Sequence, residues 1–375
     1  MASVWSPAPP SPSHVAAYAA TLYQGETAVG PMDFIDASAS EPLGDEGPGE
    51  DPRVLLQLAD EPGHGRAIRR AIEGGGVVEL HDITLHAVIA QETFDRGDAG
   101  TLESLMADES RDWGRHFAMQ RRKGICTRRL HTHFRLNRTI CANAEAVVVH
   151  SEWARRELAA LDLDTPVYVV PRFAATDAET RPERRSARRA LRLPDDAFVI
   201  LSFGAGGSAR DWTLDAFNRI ACDMPDAALA IGGAPSEASF AHALAQSPFR
   251  DRIFRFERRS EAIDGSLLAA ADVVSVMRFP WTSRGSAEVA AAMGRGRLAI
   301  APEIMAYADF DDRVCEKIEL DRDPVEQLAS AFASWAADPA ERARREDDIA
   351  DYARAHLHVD DARRSIEDIL TRHWT

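Results

Sequence analysis

Lysine is almost absent from this chain. Lys123 and Lys317 are the only two among 375 residues, and arginine carries the rest of the positive charge. That skew fits genome composition as readily as function. Cations are outnumbered as well, 44 against 60 acids, and the formal net charge of −16 excludes general nucleic-acid binding. Cysteine is scarce: Cys126, Cys141, Cys222 and Cys315 lie far apart and show no metal-ligand spacing. A reduced compartment with small buried thiols is expected, and no metal site is read from them. No apolar run approaches the ~20 residues of a membrane span. The start, MASVWSPAPPSPSHVAAY, lacks a basic stretch followed by an apolar one, so a signal peptide is not expected. The sequon at Asn137 then carries no functional reading. What is present, 45% hydrophobic and 28% charged residues, suits a soluble globular protein with sizeable cores. Its length exceeds the usual single domain, so two are expected.

The order of elements follows from local pattern. A brief strand at 2–5 precedes a Pro-rich loop, 6–13, and a helix from His14 to Tyr23. Residues 36–52, acidic and rich in Gly and Pro, read as a surface loop. Val54 to Leu58 is a buried-strand candidate; its loop carries His64 and leads to a helix stopped by Gly74-Gly-Gly76. The next strand, Val77 to Leu80, delivers His81-Asp82 and His86 to a sheet edge. Helical stretches fill most of 84–141. The apolar run from Ala146 to Val149 forms a strand opening onto His150, with Ser151 able to cap a helix from Glu152 to Leu161. A strand at 167–170 runs into Pro171.

Residues 174–196 are polar and helix-prone and read as a linker. Phe198 to Phe203 begins a second series: helix, strand (228–231), helix (236–246), strand (253–256), then the segment 266–302 and a terminal helical region. Alternating strands and helices on both sides of the linker predict two doubly wound α/β domains. In 266–302 a short strand, Val273 to Met277, is followed by a polar loop, Arg278 to Gly285, an Ala-rich helix from Ser286, and a strand at 298–300. That order sets the loop at the carboxyl edge of a parallel sheet, where a helix start offers free N–H groups to phosphate. An ordinary βαβ crossover whose loop binds nothing fits the same pattern.

Taken together, WSPAPPSPSHVAAYAATLY, LQLADEPGHGRAI, VVELHDITLHAVI, AEAVVVHSEWARREL with VYVVPRF, LSFGAGGSARDWTLDAFNRI and AADVVSVMRFPWTSRGSAEVAAAMGRGRLAIAP resemble glycosyltransferase family 4. The resemblance covers nearly the whole chain through the order and spacing of these stretches. It implies an α/β GT-B fold of two facing, doubly wound, Rossmann-like domains with a deep cleft between them. The domains would be 1–173 on the acceptor side and 174–355 for the nucleotide-sugar donor, with 356–375 a helix returning to the first. It also implies a retaining, metal-independent, bacterial hexosyltransferase of polysaccharide biosynthesis, cytoplasmic or peripheral at the inner face of the membrane. No cofactor is implied; the co-substrate is a nucleotide sugar and the acceptor a glycan or lipid-linked molecule. The rival is a catalytically silent GT-B domain that binds a glycan, a nucleotide or a partner protein.

Departures from the family are specific. Aligning MGRGRLAIA with its "LALGKPVIV" puts Arg284 and Ala291 where two donor-site glutamates usually stand, and Glu288 between them. The usual lysine after the first strand of the second domain is missing; Arg210 is the nearest cation and can bind phosphate in bidentate fashion. The opening loop, Ser11 to His14, lacks the family's glycine. Sugar transfer from a nucleoside diphosphate needs the charge growing on the β-phosphate neutralised and the acceptor hydroxyl held near the anomeric carbon. Arg210 and the helix start at Ser286 and Ala287 would supply the first, with Gly204, Gly206 and Gly207 letting backbone approach the phosphates. Arg258, Arg278, Ser283, Arg284, Gly285 and Glu288 complete the expected donor site. His81 is the candidate for holding sugar or acceptor, with Asp82 and His86 beside it; a sheet-edge cap explains the same residues.

Between Arg111 and Arg138 the sign of charge reverses. Arg121, Arg122, Lys123, Arg128, Arg129, Arg135 and Arg138 run with almost no acid and are interleaved with His116, His131, His133, Phe117 and Phe134. Such a stretch suits an anionic acceptor or an anionic membrane surface, with Arg121, Arg122, Arg128 and Arg129 as its contacts. A solvated helix face balanced by the acidic loop explains it equally.

Overall fold

The computed structural model describes residues 2–9, 11, 13–23, 27–38, 53–125, 129–174, 183–203, 212–233, 238–256, 261–277 and 287–374. The chain forms two compact units. Met1–Pro171 with Ala362–Thr375 makes one, and Arg172–Trp281 with Ser286–Asp361 makes the other.

The first unit holds a six-stranded parallel sheet of β1 (Ser3–Ser6), β2 (Asp33–Asp36), β3 (Val54–Leu58), β4 (Val77–Leu80), β5 (Ala146–Val149) and β6 (Val167–Val169), in the order β2-β1-β3-β4-β5-β6. The central strands β3, β4 and β5 are buried along their whole length, which is why they read as runs of Val, Leu and Ala rather than as alternating patterns. Leu56, Leu58, Val78, Leu80, Val147 and Val149 pack with Ile68, Ile89, Leu102 and Ile140 of the surrounding helices. Two residues break the apolar run, Gln57 and Glu79, which stand opposite one another in the β3–β4 register. The helix Val359–His373 joins this unit from Ala362 onward. Arg363 donates to the carbonyl of Thr21 at 2.9 Å, Glu367 accepts from the Ala28 amide at 3.0 Å, and His373 meets the Tyr168 hydroxyl at 3.1 Å.

The second unit repeats the scheme with β7 (Phe198–Phe203), β8 (Ala227–Gly232), β9 (Ile253–Phe256), β10 (Val273–Ser275), β11 (Leu298–Pro302) and β12 (Cys315–Ile318), in the order β12-β11-β10-β7-β8-β9 and all parallel. Its core joins Ile200, Leu229, Val274 and Ile300 to Phe217, Phe240, Met293 and Phe332. Asp272, buried at the start of β10, ties the layers together. One of its oxygens accepts from Arg188 at 2.6 Å and from the Val199 amide at 2.7 Å, while Arg184 and Arg342 lie 3.5 and 3.6 Å from the other.

Two strands are not foreseen by pattern. β2 is an edge strand with exposed aspartates at both ends, and β12 falls inside what reads as terminal helix because Glu316-Lys317 interrupts its apolar residues. Among the described residues, no helix is long and apolar enough to cross a membrane. The acidic loop reading falls mostly on residues outside those described.

Candidate functional site

Gln57, His64, Glu79, His81, Asp82 and His150 of the first unit gather at the carboxyl ends of β3, β4 and β5. Parallel strands side by side bring the residue after each strand to one edge, so His81 after β4 and His150 after β5 become neighbours across 69 residues of sequence. Their rings lie 4.8 Å apart, with His150 Nε2 3.1 Å from His81 Nδ1. The far nitrogen of each ring is also engaged. His81 Nε2 lies 2.5 Å from Gln57 Oε1, and His150 Nδ1 donates to the Val170 carbonyl at 2.9 Å.

Glu79 sits beneath this pair, fully buried inside a sheet. A lone buried carboxylate would cost several kcal/mol, so its partners decide whether the strand can exist. Three donors converge on it: the Tyr18 hydroxyl at 2.7 Å on one oxygen, and the Tyr23 hydroxyl at 2.7 Å with Gln57 Nε2 at 2.5 Å on the other. Burial, and then the Glu79 charge, push the Tyr23 phenol well above its ordinary value, so it stays a neutral donor. His150 Nε2 is 3.6 Å from Glu79. Tyr18 and Tyr23 are buried residues of the helix His14–Tyr23, which Ser13 caps by accepting from the Val15 amide at 3.1 Å.

A second cluster adjoins it. His64, fully buried, donates from Nδ1 to the Gln57 carbonyl at 2.8 Å and turns Nε2 toward Ser13 and Glu61, each at 3.5 Å. Ser13 donates to one Glu61 oxygen, and His14 lies 3.3 Å from the other. Burial pushes the Glu61 carboxyl upward, but hydrogen bonds from His14, His64 and Ser13 outweigh it and hold the group well below the usual range.

The remaining expected residues fall as follows. Asp82 accepts from the Asp60 amide at 2.9 Å, and Asp60 in turn accepts from the Val88 amide at 3.0 Å; together they brace the loops after β3 and β4. His86 is buried, donates to the Phe134 carbonyl at 2.6 Å and stacks on His131 at 4.3 Å. Burial, then the neighbouring His131, lowers His86 to about 4. Arg121 lies over the Phe94 ring at 5.2 Å and Arg122 pairs with Glu103 at 2.8 Å, so both are used within the unit. Around them Trp113, Met119 and Ile125 are exposed at 64, 52 and 56%. Asn137 is buried and donates to the Ile83 carbonyl at 2.7 Å, which removes the sequon from the surface.

In the second unit Ala287 and Glu288 open the helix Ala287–Gly294 and are half-buried, and Ala291 packs against the core. Gly204, Gly206, Gly207, Arg210, Arg258, Arg278, Ser283, Arg284, Gly285, Ser286 and Arg128 lie outside the described residues, as does the side chain of Arg129.

Among the described residues, Glu79, His81 and His150 are the group whose composition suits a metal ion, with one ligand atom from each lying within 4.8 Å of the others. Glu79 and Gln57 are the residues that sequence reasoning passes over; His150 it places at a strand end, with a weaker claim to function than His81. The available signal was a charged residue in the middle of a buried four-residue strand.

These features define an α/β protein of two parallel six-stranded units. No protein-family model matches the sequence, and a search of curated proteins returns no match. Solved structures do match over the whole chain. Sucrose-phosphate synthase from Thermosynechococcus elongatus aligns with TM-score 0.63 at 13% identity, covering 99% of each chain. WaaG, a glycosyltransferase involved in lipopolysaccharide biosynthesis, aligns with TM-score 0.65 at 12% identity, covering 99% of this chain and all of that one. Anabaena HepE, solved in complex with UDP-glucose, aligns with TM-score 0.61 at 13% identity and the same coverage. The chain therefore has the fold of GT-B glycosyltransferases.

Proposed function

We propose that this protein is a glycosyltransferase that moves a sugar from a nucleotide-sugar donor to a glycan or lipid-linked acceptor. The observation that carries the reading is a match along the full length of both units to glycosyltransferases, one of them solved with UDP-glucose. The first unit adds a preorganised polar edge at the carboxyl ends of β3, β4 and β5, where α/β folds bind ligands. The finer reading keeps the donor in the second unit, with Arg210, the glycines at 204, 206 and 207, and the helix start at 286–288 around the diphosphate. Arg258, Arg278, Ser283, Arg284 and Gly285 belong to the same proposal, as do retention of stereochemistry and independence from metal. Departure of the nucleoside diphosphate would be assisted by the Arg210 guanidinium and helix N–H groups, which stabilise charge as it develops.

A silent GT-B module is the second reading. It is favoured by Ala291, whose methyl packs against the core where the family usually has a glutamate. Calorimetry with uridine, guanosine, adenosine and thymidine diphosphates tests the donor site, which a silent module that binds nucleotide would also keep. One of them binds, and Arg210→Ala weakens it; no heat from any of them removes the proposed site. The two readings then separate on kinetics. In an enzyme Arg210→Ala lowers kcat more than it raises donor KM, by about 10²-fold as for loss of one oxyanion donor. Glu288→Gln lowers donor binding or turnover if this glutamate serves for the family's carboxylate.

A further inference from the structure

The polar chain over β3, β4 and β5 sets a constraint on protons. The Gln57 amide is oriented by Glu79: its Nε2 donates to the carboxylate at 2.5 Å, so its Oε1 is what faces His81 Nε2. An amide oxygen only accepts, and His81 Nε2 therefore carries hydrogen. At the other end the Val170 carbonyl only accepts, and His150 Nδ1 carries hydrogen. The other two nitrogens, His81 Nδ1 and His150 Nε2, face each other at 3.1 Å. As two neutral imidazoles they would present lone pair to lone pair. One further proton turns the same distance into an N–H···N hydrogen bond of ordinary length.

We propose that His81 and His150 share a single proton and stand as one cation balanced by the Glu79 carboxylate, with His150 the positioning residue for His81. A divalent ion on the same three residues fits less well. It would set two positive charges against one, and both Glu79 oxygens already accept from Tyr18, Tyr23 and Gln57. A proton brings the formal charges of Glu79, His81 and His150 to zero. Tyr18 meets both rings edge-on at 4.9 and 5.5 Å, Tyr23 is held neutral on Glu79, and His14, its ring 6.3 Å from His81, is paired with Glu61. Asp82 accepts from the Asp60 amide.

The consequence rests on reading this edge as part of a sugar-transfer site. It offers a fixed positive charge and not a general base, because the lone pair a base would need is occupied by the shared proton. The protonation itself is independent of that reading, and its test needs no sugar donor.

Long-range proton–nitrogen spectra of protein labelled with 15N-histidine, recorded at pH 7, read the four ring nitrogens directly. The expected result is three protons on four nitrogens, with the signals of His81 Nδ1 and His150 Nε2 both displaced from the lone-pair position. His150→Gln should return His81 Nδ1 to that position. If this variant does not fold, titration of the wild type decides: a shared proton couples the pair, so both histidines respond together in every step. Two lone-pair signals in the wild type, or steps in which each histidine titrates alone, overturn the proposal. So does about one equivalent of zinc that survives dialysis, which would assign the gap to a metal ion.

Discussion

His86 shows most plainly how position decides a residue's role. The sequence offers it either as an acceptor-side neighbour of His81 or as the start of the next helix, which it is. In the fold it is a core histidine, bonded to Phe134 and stacked on His131. Its titration makes a stability test. Burial, then His131, lowers it from an ordinary 6.5 to about 4, so between those values the unfolded chain binds a proton that the folded one does not. Its contribution is full above pH 6.5 and is lost as pH falls toward 4, on the order of 3 kcal/mol at about 1.4 kcal/mol per unit. Urea midpoints measured from pH 7 to 4 should fall in that window, and His86→Gln should flatten the slope. A variant with the wild-type slope would show that another group carries it. His81 was legible as a site residue because it ends a strand at an edge. His150 ends a strand as well, yet its pairing with His81, like the role of Glu79, depends on which strand lies beside which.

Elements were legible where they are buried or capped. The helix His14–Tyr23 and strands β3, β4, β5 and β7 fall where apolar runs, caps and glycine stops place them. The edge strands β2 and β12 escaped because charge at the rim of a sheet erases the pattern that marks a strand. Helix pairing was equally hidden. Helices Ala99–Glu109 and Arg111–Arg122 meet so closely at Gly114 that an added Cβ would lie 1.9 Å from the Met106 carbonyl oxygen. Gly114→Ala should therefore push the helices apart and destabilise the first unit by about 1–3 kcal/mol, the range for overpacking. Urea unfolding followed by Trp fluorescence checks it, and an unchanged midpoint would contradict the packing. In the second unit Asp272→Asn should cost about 3–5 kcal/mol, because Arg188 would stay buried without its counter-charge. A shift below about 1 kcal/mol would mean that the surrounding network rearranges around it.

At the scale of the whole molecule the charge is acidic, −16, and the basic segment is the exception. Arg121 and Arg122 are used internally, yet Arg111, Arg115 and Lys123 are exposed beside Trp113, Met119 and Ile125. Cations with an aromatic and two aliphatic side chains suit the face of an anionic bilayer. Sedimentation with anionic vesicles should drop when Arg115 and Lys123 become Gln, and should fade toward 1 M salt, where the Debye length is about 3 Å. Protein that ignores such vesicles at low salt would leave a solvated face. The alternation of strands and helices made both units legible, while the donor-site departures bear on chemistry that a fold alone does not decide. Turnover decides it. Purified protein should release nucleoside diphosphate from one nucleotide sugar faster than the uncatalysed reaction, and Arg210→Ala should slow that release by about 10²-fold. A protein that binds a nucleoside diphosphate yet releases none from uridine, guanosine, adenosine or thymidine diphosphate sugars, with or without glycan and lipid-linked acceptors, would contradict the assignment as an enzyme.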